Sequence, residues 1–337
     1  MSNKPLLFLL LPFFLTLFIT PLIIRFAKKY GCVDKPGKRK LHPTTTPVWG
    51  GTAFFIGILP IFFILVMSRE LVSYLIASFI LVILGAIDDL KHLGWRQKLI
   101  GIVFTTSIVI FGGGVQLNNL GFYGSLGKIE LGIISIPFTY FCIIGMTNAI
   151  NLIDGLNGLA GGTSLIAFLF LGVAAYFSGN YVVVAIAFAF VGALGGFLYY
   201  NFPKAKIFMG DAGSLLLGFS LAVVSILLTQ DEKFHIEPMF PILVLLFPIF
   251  DALRVMLLRL FKLKNPFKAD KTHLHYLMTR RGVSSVKTVL FFWLLTIMFG
   301  IIATLIVNRT STPYVIIVLF ISLILSIFAN SIIKRVK

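Results

Sequence analysis

The sequence predicts an all-α polytopic membrane protein of about eleven transmembrane helices, forming a single domain over residues 1–337. Three observations predict it. Of 337 residues, 58% are apolar and only 12% charged, with a mean hydropathy of +1.00; soluble domains are nearer half apolar and a quarter charged. The apolar residues gather in runs such as 6–24, 71–87 and 314–333, each long enough to cross about 30 Å of hydrocarbon as a helix. Basic residues fall in alternate breaks between those runs. A soluble enzyme, a disulfide scaffold, a disordered tail and a nucleic-acid reader are excluded. So is an outer-membrane barrel, whose strands alternate apolar and polar residues over roughly ten positions.

In order, the first helix is expected at 5–27, closed by Arg25, Lys28 and Lys29. It is too long for a signal peptide, lacks a small-residue cleavage site and carries its positive cluster on the far side, so it reads as a retained helix. The second (49–67) and third (71–88) are parted by Arg69 and Glu70, and the third stops at Asp88-Asp89-Leu90-Lys91. The fourth (97–113) runs into the glycines 112–114, after which residues up to Lys128 read as an outer loop or short hairpin. The fifth (131–152) and sixth (159–178) flank an Asn- and Gly-rich stretch, and the seventh (181–200) precedes a loop bearing Lys204 and Lys206. The eighth (212–229) ends before Asp231, Glu232 and Lys233. The ninth (239–261) opens the most basic loop, and the tenth (286–307) and eleventh (313–333) are separated by Arg309.

If the chain alternates sides, all but five of the 29 basic residues (Lys4, Arg69, Lys128, Lys233 and Arg309) share one face. The positive-inside rule makes that face cytoplasmic, with the N-terminus outside and the C-terminus inside. A multi-pass protein of the inner (cytoplasmic) membrane follows. The net charge of +17 then reflects topology and attraction to anionic headgroups of the lipid bilayer, with part left over for a polyanionic substrate and none required for nucleic acid. Cys32 and Cys142 lie in a loop and in a span, which makes neither a disulfide nor a metal–thiolate site.

Acids divide as sharply. The four Glu and Asp231 fall outside, whereas the inner face holds Asp34, Asp88, Asp89, Asp154, Asp211, Asp251 and Asp270. Short carboxylates at the inner ends of helices suit a compact site for a hard cation, and acids near hydrocarbon are costly and usually functional. Asp88 and Asp89 terminate a helix whose end is already negative, so a cation such as Lys91, Lys98 or a metal is expected beside them. Successive residues point about 100° apart, so the two carboxylates do different jobs. Asn148, Asn151, Asp154 and Asn157 recur every three residues, which lays amides and one carboxylate along one helical face. Residues 201–214 combine Lys204, Lys206, Gly210, Asp211 and Gly213 at a helix start, where backbone N–H groups attract phosphate and Asp211 could hold the accompanying cation. The last loop carries Lys271, His273 and His275 among further cations. Two histidines are too few for structural zinc, and phosphate or sugar contact is the better expectation.

At these stretches the chain resembles the polyprenyl-phosphate N-acetylhexosamine-1-phosphate transferases of MraY/WecA/TagO type. The resemblance rests on Asp88-Asp89, residues 151–162, 208–218 and 269–275, and on a first loop with Lys38-Arg39-Lys40-Leu41-His42, Pro47 and Gly50-Gly51. The separated form His273-Leu274-His275 and the count of eleven spans favour the WecA/TagO branch. The resemblance implies transfer of an N-acetylhexosamine-1-phosphate, GlcNAc-1-phosphate above all, from a UDP-N-acetylhexosamine to undecaprenyl phosphate with release of UMP. This would be the first membrane step of an envelope polysaccharide such as teichoic acid or O-antigen. It implies Mg²⁺, with Mn²⁺ as a substitute, and a homodimer as in related enzymes. It also implies site roles: Asp211 with Asp154 on the metal, and Asp88, Asp89 and Asp154 as catalytic carboxylates. Asn151, Asn157, Lys98, Lys271, His273 and His275 would bind substrate, with Asn201 and Phe208 at the uracil. Two positions depart from the family pattern: Asn157 stands where a second Asp is usual, and Tyr276 where a further His is usual. The alternatives are an MraY-like phospho-MurNAc-pentapeptide transferase and, in another class, a cation or lipid transporter. The transporter is disfavoured because the acids cluster at one face instead of crossing the bilayer.

Overall fold

The computed structural model describes residues 4–34, 45–231, 233, 236–261, 263 and 272–334. Thirteen α-helices account for about three quarters of it, and eight stretches are long and apolar enough to cross a membrane. These are α1 (Lys4–Lys29), α3 (Arg69–Lys91), α5 (Ser135–Ile153, with a 3₁₀ turn before it), α6 (Leu159–Ser178), α7 (Tyr181–Asn201), α8 (Gly210–Thr229), α12 (Ser285–Leu305) and α13 (Ser311–Lys334). The chain is an all-α polytopic membrane protein.

The remaining apolar runs fold differently from single long spans. Helix α2 (Gly50–Ile64) is short, and α4 (Trp95–Ser107) loosens into a π turn over Ile108–Gly112. The expected span 239–261 is divided into α9 (Met239–Val244) and α10 (Leu246–Leu260). Pro248 supplies a reason: it has no N–H to give the Val244 carbonyl, so the ladder is interrupted there. The short α11 (Leu274–Arg280) precedes α12.

Helix α8 is the axis of the bundle. Of its apolar window 89% is buried, against 17% for α13, and α2, α3, α5, α6 and α7 pack around it. A helix enclosed on all sides has no face to offer water, and α8 accordingly carries no charged residue beyond its first turn. Its Ser220 hydroxyl is satisfied by Tyr74 of α3 at 2.7 Å.

At one end, β3 (Asn119–Phe122) and β4 (Lys128–Glu130) form the antiparallel hairpin expected between the fourth and fifth runs. Gln230 Oε1 accepts from the Asn118 and Asn119 amides at 2.8 and 3.1 Å, and Glu237 Oε2 accepts from Phe122 N at 3.0 Å, which fasten the hairpin to the bundle. At the other end, β1 (Val33–Asp34) pairs with β2 (Thr46–Pro47) and brackets the first basic loop. Residues 38–42 of that loop and Lys271 lie outside the described residues.

Candidate active site

The site grows from the point where α3 ends and α8 begins. Asp88 and Asp89 occupy the last turn of α3 and, as their angular separation requires, take different tasks. Asp89 Oδ1 accepts from the Asp211 backbone N–H at 2.8 Å, so it caps the positive start of α8, where a carboxylate is favoured. Its Oδ2 is buried with no partner. Asp88 is 4% exposed and accepts from Leu93 N at 2.5 Å through Oδ1. Its other oxygen meets the Lys98 ammonium, which also pairs with Asp211 Oδ2. Lys98 thus joins the two carboxylates that the chain holds 123 residues apart in sequence (88 against 211).

Asp211, in the first turn of α8, is completed by α5: Asn151 Nδ2 donates to Asp211 Oδ1 at 2.9 Å and to Ser214 Oγ at 2.8 Å. Asp154 follows directly after α5. Burial, reinforced by the charge of Asp211, pushes its carboxyl up to about 7. The carboxylates and Lys98 form the floor of a cavity of about 1320 Å³, larger than the few hundred to ~1,000 Å³ of an ordinary small-molecule pocket. Its walls come from the β1–β2 bracket, the α3–α4 turn, the turn after α5, the α7–α8 loop and α11. All but the turn after α5, which carries no Lys or Arg, belong to the basic set of loops.

Among the described residues, no three His, Cys, Asp or Glu side chains are grouped to cage an ion unaided. Mg²⁺ is usually held by one or two carboxylates together with substrate phosphates and water. Asp88 and Asp211 offer hard oxygen donors that already converge on one cation, the Lys98 ammonium.

Comparison with known proteins finds a family and named relatives. The glycosyl transferase family 4 profile matches residues 71–229, from α3 through α8. The chain is 36% identical over 315 residues to a probable undecaprenyl-phosphate N-acetylglucosaminyl 1-phosphate transferase of Bacillus subtilis (strain 168), covering 93% of this chain and 86% of that protein. It is 33% identical over 269 residues to the undecaprenyl-phosphate alpha-N-acetylglucosaminyl 1-phosphate transferase of Escherichia coli (strain K12), covering 77% and 72%. The chain belongs to glycosyl transferase family 4. It is a membrane-embedded phosphoglycosyltransferase of the WecA/TagO kind.

Within this family-4 transferase, several expected site residues sit differently from the sequence reading. The polar stripe 148–157 is not one helical face. Helix α5 stops at Ile153, Asp154 leaves the helical region with ψ 49°, and Gly158 turns left-handed at φ 81°. Asn148 is spent on the Ile144 carbonyl of its own helix at 2.8 Å. Asp154 and Asn157 reach the cavity from a turn, where Asn157 Nδ2 donates to the Pro203 carbonyl at 3.3 Å. Asn201 borders the cavity, but its amide is occupied: Oδ1 accepts from Gly158 N at 2.7 Å and Nδ2 donates to the Ile207 carbonyl at 2.9 Å. It ties the turn after α5 to the α7–α8 loop. Phe208 lines the cavity, and its backbone pairs with the Pro47 carbonyl and the Gly50 amide.

The histidines are buried behind the cavity wall instead of lining it. His273 and His275 are 2% and 0% exposed, and the cavity is lined instead by Tyr276, Thr279 and Arg280 of α11. Burial pushes His275 down to about 4, so it is neutral at ordinary pH. Sequence reasoning passed over Asp251, an acid in the middle of an apolar run with Arg254 three residues on. That pairing was the available signal, since an isolated buried charge is too costly to keep.

Proposed function

We propose that the protein transfers GlcNAc-1-phosphate from UDP-GlcNAc to undecaprenyl phosphate, giving a lipid-diphosphate-linked sugar and UMP, with Mg²⁺ as cofactor. The convergence of Asp88, Asp211 and Lys98 on the floor of one large cavity carries this reading. Two polyanions must meet for the transfer, and the cavity's size and its basic rim, with Lys204 and Arg280, suit both. The names of the two relatives support the acceptor and the sugar.

The reaction forms a bond from a lipid-phosphate oxygen to the sugar-bearing phosphorus while the bond from that phosphorus to the UMP oxygen breaks. Such transfers depend chiefly on positioning and charge neutralisation. Asp211 and Asp88 would hold Mg²⁺, with Asp154 beside them, and the ion would offset charge on the diphosphate. Lys98, which pairs with both carboxylates, would supply a second positive group for a phosphate oxygen. Asn151 fixes the Asp211 rotamer, and Asp89 fixes the backbone that carries it. Asn157, on the cavity turn, would meet the donor, and Phe208, which also lines the cavity, would offer a ring for the uracil. A phosphate monoester has its second pKa near 6, so the acceptor is largely dianionic at neutral pH and needs no strong base. Direct attack therefore suffices, without an aspartyl intermediate.

The same reading places the cavity at the cytoplasmic face of the inner membrane, with the N-terminus outside and the C-terminus inside. α2, α4 with its π turn, and the α9–α10 pair would complete eleven passes. The basic residues of the cavity rim, Lys98, Lys204 and Arg280, support that orientation. A donor screen with purified protein and undecaprenyl phosphate tests the proposal. UDP-GlcNAc is expected to yield UMP, whereas preference for UDP-MurNAc-pentapeptide, or no UMP from any donor, would overturn it.

A further inference from the structure

Asp251 lies in α10 with no exposed surface, yet its carboxylate is fully engaged. Oδ2 meets His273 Nδ1 at 2.8 Å, while Oδ1 accepts from Leu274 N at 3.0 Å and Arg254 Nη2 at 3.1 Å. The same Arg254 nitrogen donates to the Thr272 carbonyl at 2.5 Å. Three successive residues, 272–274, are therefore fastened to α10 by one ion pair. Since α11 starts at Leu274, this clamp sets both where α11 begins and how it is rotated.

The rotation has consequences one turn on. Tyr276, Thr279 and Arg280 face the cavity, while His275 turns inward and packs against Tyr276, ring centroids 4.1 Å apart and planes tilted by 47°. The turn after α5 admits them only because residue 155 is glycine: a Cβ there would lie 2.5 Å from both His275 Nε2 and the Tyr276 hydroxyl. A carboxylate can only accept, so the proton between Asp251 and His273 resides on Nδ1. That donation is what the clamp requires of the imidazole.

We propose that Asp251 is a positioning residue of the transferase: through the His273 Nδ1–H and the Leu274 amide it sets the α11 wall, so that Tyr276 and Arg280, and not the two histidines, meet the sugar nucleotide. The inference rests on the transferase reading above. It reassigns His273 from a substrate contact to a link in the clamp.

Two substitutions at one position decide it. An Asn carboxamide places an N–H donor near the Nδ1 position, and a Gln carboxamide near Nε2. His273→Asn is expected to keep kcat/KM for UDP-GlcNAc within roughly threefold, and His273→Gln to lose roughly tenfold or more, the scale of a lost hydrogen bond to a charged partner. Asp251→Asn should raise KM for UDP-GlcNAc by a similar factor while KM for undecaprenyl phosphate stays within about twofold. A merely structural defect would instead lower the melting temperature and move both KM values together, and that outcome overturns the proposal. So does Gln matching or exceeding Asn at position 273, or inactivity of both with unchanged melting temperature, which would place the imidazole on the substrate. A wild-type protein that releases no UMP from UDP-GlcNAc refutes the transferase reading separately, and the Asn-over-Gln order is then read from melting temperatures.

Discussion

Gly85 lies one turn before Asp88 on α3, at the place where α3 touches the first turn of α8. A Cβ on Gly85 would stand 2.5 Å from the Asp211 carbonyl carbon and closer still to Ala212 N and Cα. These are backbone atoms with no flexible end to swing aside, and ordinary Cβ contacts begin at 3.4 Å. Gly85→Ala must therefore part the two helices by about 1 Å, at an overpacking cost of roughly 1–3 kcal/mol. That displacement falls between Asp88 and Asp211, the two carboxylates that Lys98 joins. A 1 Å misplacement of reacting groups is worth roughly a hundredfold in rate. The expected result is a kcat lowered by about 100-fold, with a melting temperature reduced by only a few degrees. UMP release at saturating UDP-GlcNAc and undecaprenyl phosphate, alongside thermal unfolding in detergent, measures both. Gly145→Ala on α5, where a Cβ meets nothing within 4 Å, serves as the control and should leave both values unchanged. Gly85→Ala with activity near wild type would refute the idea that α3–α8 contact sets the carboxylate geometry.

Other outcomes follow from the same arrangement. Asn157→Asp restores the residue usual in the family at a half-exposed turn; activity should stay within about threefold, and complete loss would indicate a different role for the turn. His275 is held near 4 by burial, against an ordinary 6.5. Between those values the unfolded chain binds a proton that the folded chain refuses, so stability falls as pH drops through that window, by about 3 kcal/mol at its lower end. His275→Leu should flatten the acid side of a melting-temperature profile, and an unaltered slope between pH 6.5 and 4 would contradict the burial. Direct attack by the lipid phosphate predicts that protein incubated with radiolabelled UDP-GlcNAc and Mg²⁺, without lipid, gains no covalent label. Label at Asp88 or Asp89 would establish the intermediate instead.

Much of this architecture is legible in the sequence, for physical reasons. A helix in hydrocarbon must satisfy its backbone internally and present apolar side chains for about twenty residues, so the runs announce themselves. The inner aspartates are legible because a carboxylate at the edge of hydrocarbon needs a reason to be there. Less legible is anything decided by rotation or by partners distant in the chain. Adjacent Asp88 and Asp89 are indistinguishable as letters, and only the approach of α8 makes one a helix cap and the other a cavity group. The three-residue recurrence from Asn148 to Asn157 has the spacing of a helical face, but the Asp154-Gly155 step ends the helix, and Asn148 turns back on its own carbonyl neighbour Ile144. His273 and His275 carry the chemistry of ligands, yet the Asp251 carboxylate, 22 residues earlier, draws one of them inward. The break at Leu245 is marked by Pro248 but masked by the continuous hydropathy around it.

The central claim is that Asp211 is the pivot of a site assembled from the ends of α3, α5 and α8. Single-turnover UMP release, comparing wild type with Asp211→Asn at equal UDP-GlcNAc, undecaprenyl phosphate and Mg²⁺, addresses it most directly. One UMP per lipid-linked sugar from the wild type and none from the variant, at an unchanged melting temperature, is the predicted result. Comparable UMP release by the variant would show that the reaction takes place without the carboxylate around which Lys98, Asn151 and Asp89 are arranged.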